Sequence, residues 1–233
     1  MRVVIVGGSF GGLTTAYELR KRLGRSKCEI TLISKDRHFV FIPSLPWVAM
    51  GSKALDQISF DLEKPLARKR IDFAHATVVR VDPQAQKVVT DSEEFPYDYL
   101  VIATGHRSAN EAVPGLGPFD GPGHSLMSPP EAEEARDALK AFLDDPVPMA
   151  VGCAPGASCI GPAYEFVFEI DHLLRQRKMR HKVPIAFVTP EPFLGHFGVG
   201  GMGKSRQFLE GELEQRDIRY FTSASATTRM RRP

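Results

Sequence analysis

A chain of 233 residues with 42% apolar content is long enough for one large or two modest domains around real cores. Its 30 Lys and Arg against 28 Asp and Glu leave a net charge of +2, so no overall field recruits nucleic acid or an anionic membrane. Three cysteines, Cys28, Cys153 and Cys159, form neither a disulfide framework nor a CxxC pair, which excludes a thiol zinc site and reads as reduced thiols in cytoplasm.

The start MRVVIVGG passes straight into a strand and turn without the form of a secretory signal, and no stretch reaches the ~18–20 apolar residues of a membrane span. Val3 to Val6, apolar on both faces, reads as a buried parallel strand. The turn Gly7 to Gly12 leads into a helix over Leu13 to Leu23, and Glu29 to Ile33 completes a βαβ unit. Asp72 to Asp82 and Lys87 to Thr90 alternate as antiparallel strands, and Tyr99 to Ala103 is a buried strand ending at Thr104-Gly105. Ser108 to Pro130, rich in Gly and Pro, reads as an interdomain connection. It closes on a capping box, with Ser128 as N-cap and Glu131 three residues on, that opens a helix to about Leu143.

A second βαβ unit follows: strand Pro148 to Gly152, helix Pro162 to Arg180 and strand Ile185 to Thr189. A helix over about Ser205 to Gln215 and a strand, Ile218 to Phe221, lead to SASATTRMRRP, whose arginines read as a solvated end. The expected fold is α/β with two Rossmann-like dinucleotide-binding domains, 1–118 and 119–233. The second has too few strands to bury both faces of a parallel sheet, so it reads as incomplete, with a C-terminal region missing.

Gly7-Gly8-Ser9-Phe10-Gly11-Gly12 follows a strand and opens a helix, the context that gives a glycine motif its meaning. Gly7 allows a tight turn and Gly12 lets the helix lie close to the sheet. Ser9 replaces the glycine that admits a pyrophosphate, and its hydroxyl can donate to a phosphate oxygen. At the end of the second strand Ser34-Lys35-Asp36 offers Ser34 to a ribose hydroxyl. Dinucleotide binding is therefore favoured here over a turn without ligand. The turn after Val151 instead carries Ala154 and Ala157, with Pro155 stiffening it, which crowds a pyrophosphate. Thr189-Pro190 stands where a ribose-binding carboxylate is expected, with Glu191 near, so NADH is disfavoured and the first turn remains for FAD.

Cys159 lies two residues before a helix that opens Gly161-Pro162, where unpaired N–H groups and the helix dipole favour a thiolate. Two readings stay open: a reactive thiol, or a cysteine packed inertly between helix and sheet. Glu165, one turn along, either handles protons or complements the positive helix end.

VVIVGGSFGGL, HFVFIPSLPWVAMG from His38 to Gly51, YDYLVIATG from Tyr97 to Gly105, GASCIGPAYEF from Gly156 to Phe166 and EPFLGHFGVGGMGKS from Glu191 to Ser205 together resemble one family. They are similar to the sulfide:quinone oxidoreductases of the FAD-dependent pyridine nucleotide-disulfide oxidoreductase superfamily, with flavocytochrome c sulfide dehydrogenases as cousins. The resemblance covers nearly the whole chain. It implies an enzyme with FAD at Gly7, Ser9, Gly12 and Ser34 for phosphates and ribose, Val78 near the adenine, and Thr104 and Gly105 closing over the cofactor, with Phe10, Gly11, Lys35 and Ala103 in the same site. It implies an NAD(P)-like second domain in which Cys159 faces the flavin, with Glu165 beside it. Sulfide is then oxidised to polysulfide and two electrons pass through flavin to quinone.

The family pattern also departs here. Met127 stands where a further cysteine is frequent, and Glu131 where a histidine is common. The resemblance places the partner of Cys159, the quinone pocket and the membrane-docking helices beyond the position of Phe221, so membrane contact is expected only through that region; full-length relatives are peripheral on the membrane. Cys153 reads as a small packed residue. The alternatives beside the leading one are a type II NADH:quinone dehydrogenase-like or flavocytochrome c sulfide dehydrogenase-like flavoprotein, and a truncated fragment without catalysis. No metal and no nucleic acid is expected.

Overall fold

The computed structural model describes residues 1–24, 27–113, 115–118 and 121–225. The tail arginines Arg229, Arg231 and Arg232 lie outside them. In chain order the elements begin β1 (Arg2–Val6), α1 (Phe10–Leu23), β2 (Glu29–Ser34), β3 (His38–Val40), α2 (Leu45–Ala49), β4 (Ser59–Asp61) and α3 (Glu63–Arg68). Next come β5 (Asp72–His75), β6 (Val78–Asp82), β7 (Lys87–Thr90), β8 (Glu94–Pro96), β9 (Tyr99–Ile102) and α4 (Pro129–Asp144). The last are β10 (Met149–Gly152), α5 (Gly161–Gln176), β11 (Ile185–Val188), α6 (Ser205–Gln215) and β12 (Ile218–Phe221).

The chain divides into two compact units, one of Met1–Phe41 with Ala54–Ser108, the other of Ile42–Lys53 with Ala109–Pro233. In the first unit a parallel sheet has the order β5-β2-β1-β9. Strand β1 alternates between two cores, as its sequence demands. Val3 and Ile5 pack with Leu13, Ala16, Ile30 and Leu32, whereas Val4 and Val6 pack with Ile33, Val88 and Tyr97. Fully burying each such aliphatic side chain is worth roughly 1.5–3 kcal/mol against leaving it in water.

The segment read as one antiparallel strand, Asp72 to Asp82, is two. Strand β5 joins the parallel sheet beside β2, pairing Thr31 with Asp72 and Ser34 with His75. Strand β6 leaves it to form an antiparallel meander with β7 and β8. The switch falls at Ala76-Thr77, where Ala76 is buried and its N–H reaches the Ser34 carbonyl at 3.0 Å. Periodicity alone does not distinguish a strand that changes sheets from one that continues.

In the second unit β10, β11 and β12 form a parallel sheet in sequence order. The apolar stripe of α5, Ala163, Val167, Ile170 and Leu174, closes a core with Ile185, Phe187, Leu209, Leu213 and Ile218. Asp171, on the same helix and 2% exposed, is held by Arg175 at 2.8 Å and Arg180 at 2.7 Å. Two donors on one buried carboxylate tie α5 to the turn ahead of β11. Helix α2, for which the hydropathy pattern gave no forecast, packs against α4 and α5.

Helix α4 starts as expected but not by a capping box. Ser128 is the N-cap without a side-chain cap bond, and Glu131 turns inward. Its oxygens accept from Asn110 Nδ2 at 3.3 Å and Ser125 Oγ at 2.9 Å. A nearly buried carboxylate finds better partners there than at the Ser128 N–H.

Candidate functional site

The carboxyl ends of β1, β2 and β9 converge on the turn Gly7–Gly12, the edge at which open parallel sheets take nucleotides. The Gly7 N–H donates to the Ile33 carbonyl at 2.8 Å, and Ala103 N–H to Val6 at 2.8 Å, so the neighbouring strand ends are pinned to β1. Gly7 has φ +118°, and a Cβ there would stand 2.1 Å from the Ala103 carbonyl oxygen. A Cβ on Gly12 would stand 1.8 Å from the Gly7 oxygen. These two positions therefore require glycine.

Above this compressed base the turn is open. Ser9, Phe10 and Gly11 are exposed at the start of α1, whose first N–H groups have no partner within the helix. A Cβ on Gly11 would meet nothing closer than Ala103 Cβ at 3.5 Å. Thr104 and Gly105 are exposed beyond β9, and Gly105 has φ +74°. Phe10 meets Phe39 and Phe41 edge-on at 5.1 and 5.7 Å, so an aromatic wall flanks the turn. The residues present fit a dinucleotide: a bare glycine edge, donors aimed outward and an apolar flank.

Ser34 is more buried than a ribose ligand needs to be, at 8% exposed. It lies under Gly8, whose Cβ would sit 2.8 Å from its Oγ, and it accepts from the Asp36 N–H at 3.2 Å. Its position braces the turn, and Lys35 and Asp36 are the exposed side chains at that strand end. Val78, half-buried, starts β6 beside a bulge.

In the second unit the turn from β10 to α5 is longer and differently filled. Gly152 is pressed to the sheet, with a Cβ there 1.9 Å from the Val188 oxygen, and Cys153 N–H donates to the same oxygen at 3.0 Å. Ala154 to Ala157 then form a turn closed at 3.1 Å. The chain reaches Cys159, which is exposed, two residues before α5 begins at Gly161. Among the described residues nothing packs this thiol away from solvent. Cys153 is the contrary case: burial first, then the Glu191 and Cys159 charges, push its thiol up to about 12. Cys28 is buried and its thiol is also raised, mainly by burial.

Glu165, one turn into α5, accepts the Trp47 indole N–H at 3.1 Å. Trp47 was not singled out from the sequence, although as the chain's one tryptophan, within a short apolar helix, it was the signal available. Met127 is half-buried, its N–H donating to Ser125 Oγ at 3.3 Å.

Glu191 settles where the carboxylate after β11 goes. It is 3% exposed, and both oxygens are taken. Oε2 accepts from Tyr164 at 2.7 Å and Thr189 at 2.9 Å, while Oε1 accepts from Phe197 N–H at 2.7 Å. The Tyr164 oxygen in turn accepts from Gly195 N–H at 3.0 Å. Burial and this carboxylate push the Tyr164 hydroxyl well above its usual range. The group nearest to a ribose anchor is thus consumed in folding the loop 191–198. No helix among the described residues is long and apolar enough to cross a membrane.

Glycine turn, parallel sheet and strand-end cradle are those of a Rossmann-like unit of the dinucleotide-binding class. A family model for the pyridine nucleotide-disulphide oxidoreductases matches residues 1–145, and the chain belongs to that family. Within it, the chain is 39% identical over 224 residues to a sulfide-quinone reductase of Aquifex aeolicus (strain VF5), covering 96% of this chain and 51% of that protein. The crystal structure of the sulfide:quinone oxidoreductase from Aquifex aeolicus superposes with a TM-score of 0.90 at 38% identity, over 96% of this chain and 51% of the other. The chain thus spans about half the length of this relative. A type II NADH:quinone oxidoreductase of Staphylococcus saprophyticus is 27% identical over 115 residues, 49% of this chain and 29% of that protein.

Proposed function

We propose that the chain belongs to a flavoprotein that oxidises sulfide at a cysteine and passes the electrons to quinone, with FAD held by the first unit and Cys159 as the reacting thiol. One observation carries this reading: an exposed thiol stands at the helix start of a unit whose nucleotide turn bears methyl groups and whose strand-end carboxylate is spent internally. The likeness to sulfide-quinone reductase supports it. Gly7, Ser9, Phe10, Gly11 and Gly12 would cradle the pyrophosphate, with Ser34 bracing the turn from beneath and Lys35 at the ribose end, Val78 toward the adenine, and Ala103, Thr104 and Gly105 as the rim. When bound, FAD would accept two electrons and return them to quinone.

Cys159, exposed two residues before α5, supplies the nucleophilic sulfur. In balance, sulfide loses two electrons and two protons to leave sulfane sulfur, and quinone gains both to become quinol. Glu165, exposed one turn into α5, would exchange protons with solvent. Quinone and sulfide are the small-molecule partners, and a cytoplasmic setting with quinone drawn from a membrane surface goes with them.

Anaerobic titration of the flavin-loaded protein tests this. Sulfide should bleach the flavin and NADH should not. Cys159→Ser should abolish the sulfide response, and Cys153→Ser should leave it nearly unchanged. Bleaching by NADH alone would instead favour the type II NADH:quinone reading. Failure to hold stoichiometric flavin in a monodisperse state would favour the fragment without catalysis.

A further inference from the structure

Where α5 and α6 run down toward the amino ends of β11 and β12, a groove of about 350 Å³ opens between them. It is lined by Phe168, Asp171, His172 and Arg175 of α5 and by Gln215 and Arg216 at the end of α6. Phe168, His172 and Arg175 recur at helical spacing, so α5 gives one face to it. At ~1.5 Å per residue, Arg175 lies roughly 20 Å along the helix from Gly161 and the Cys159 end. The groove is therefore separate from that thiol, and it sits at the opposite sheet edge from the one that takes nucleotides. Its volume is that of a small-molecule site, ~300–1,000 Å³.

Cations outnumber anions here. Asp171 is shared by Arg175, Arg180 and Arg216, the last at 3.7 Å, and Glu212 pairs with Arg216. Three guanidiniums thus meet two carboxylates. Carbonyls at the end of α6 are covered as well: Arg216 O accepts from Arg175 Nη2 at 3.3 Å and Arg180 Nη2 at 2.7 Å, and Glu212 O from Arg216 Nη1 at 3.0 Å. These bonds offset the negative end of the helix. On the turn after α5, Arg177, Lys178, His181 and Lys182 are exposed, against Glu214 and Asp217 at the end of α6.

Donors are left over in the groove itself. Among the described residues, Arg175 Nη1, Arg216 Nη2 and the Gln215 amide have no hydrogen-bond partner, since the bonds of both arginines run through their other nitrogens. The Gln176 amide nitrogen donates to His172 Nε2 at 2.9 Å, which leaves the ring proton on Nδ1 as a further donor. Arg216 is held over the Phe168 ring at 5.1 Å, so its fork is fixed above an apolar floor.

We infer that this groove binds a phosphate monoester, with Arg175 and Arg216 on the phosphate oxygens, His172 and Gln215 donating beside them and Phe168 beneath the organic group. Two guanidinium forks and two neutral donors suit a doubly charged, three-oxygen group better than a carboxylate, which offers two oxygens and one charge. The site stands apart from the sulfide-oxidising reading of Cys159.

Calorimetric titration of the whole chain with inorganic phosphate and with phenyl phosphate tests it. Inorganic phosphate should bind with a Kd of about 1 mM or tighter, and phenyl phosphate several-fold tighter still. Gln215→Glu puts a carboxylate among the donors at an exposed position without bonds to lose, so it should keep the urea midpoint of the wild type and weaken both ligands about tenfold or more. Arg175→Gln should weaken them as much. Vesicles of phosphatidylcholine with and without phosphatidic acid separate the two sources of such a group. Sedimentation with phosphatidic acid alone, reversed by phenyl phosphate and lost in Gln215→Glu, assigns a lipid headgroup; phenyl phosphate binding without sedimentation assigns a soluble ester. Phosphate binding no tighter than chloride, or affinity unchanged in Gln215→Glu, overturns the proposal.

Discussion

The two strand-to-helix turns of this chain, Gly7–Gly12 after β1 and Gly152–Gly161 after β10, begin alike and end differently. Each opens on a glycine jammed against a neighbouring strand end: Gly7 against the Ala103 carbonyl, Gly152 against that of Val188. The first turn then closes within Ser9 and uses Gly12 to bring α1 down on its own turn, leaving an exposed glycine edge. The second carries Ala154, Pro155 and Ala157 and delivers an exposed cysteine. What the βαβ frame requires is the glycine at the strand end. What a pyrophosphate requires is the glycines after it, and only the first turn keeps them.

The largest expected effect breaks the first turn at its base. Gly12→Val places a Cβ 1.8 Å from the backbone oxygen of Gly7, which no rotamer change relieves. The variant should lose about 3 kcal/mol or more by urea unfolding, together with flavin retention. Gly156→Ala in the second turn meets open space and bears only the strain of φ +84°. It should cost about 1 kcal/mol. Equal losses at the two positions would show that the turns do not differ as described.

Next comes the loop that replaces a ribose site in the second unit. Glu191→Ala leaves the Tyr164 and Thr189 hydroxyls and the Phe197 N–H without their acceptor. A loss of about 3 kcal/mol in unfolding free energy, read by urea titration, is expected, with Glu191→Gln losing less because one oxygen remains. Neither variant should bind NADH by fluorescence titration, since Ala154 and Ala157 still crowd the turn. Tight NADH binding by Glu191→Ala would mean that the carboxylate alone excludes the nucleotide.

These residues also mark what the sequence could and could not disclose. The buried runs Val3–Val6 and Ile185–Val188 and the stripe of α5 were legible because their periodicity follows from burial. So were the glycine positions, because a φ of +118° or a contact under 2 Å excludes other residues. Glu131 and Glu191 were not. Both sit in polar local patterns, a capping box and a loop, and only the fold decides that they turn inward to satisfy distant donors. Helix α2 is too short and too apolar throughout to show a period, so Trp47 was met only in the structure.

The smallest effect concerns the thiol at the base of the second turn. Cys153 packs against the core of the second unit, and a thiol pushed up to about 12 is ionised to only ~1 part in 10^4 at pH 8. In mass-resolved alkylation of the folded protein at that pH, Cys153 should react about 10^3-fold slower than a peptide thiol, with Cys159 modified first. All three cysteines should react once urea unfolds the chain. The sign of the linkage follows from the same cause. Because the folded state holds the thiol proton more tightly than the unfolded state, stability from this group is full below the ordinary thiol range and is lost as pH rises toward about 12. Cys153→Ser should cost no more than about 1 kcal/mol near neutrality and should blunt that alkaline loss. Rapid alkylation of Cys153 in the folded state would mean that the second turn opens to solvent at its base, and the contrast between a half-buried thiol and a presented one within a single turn would fail.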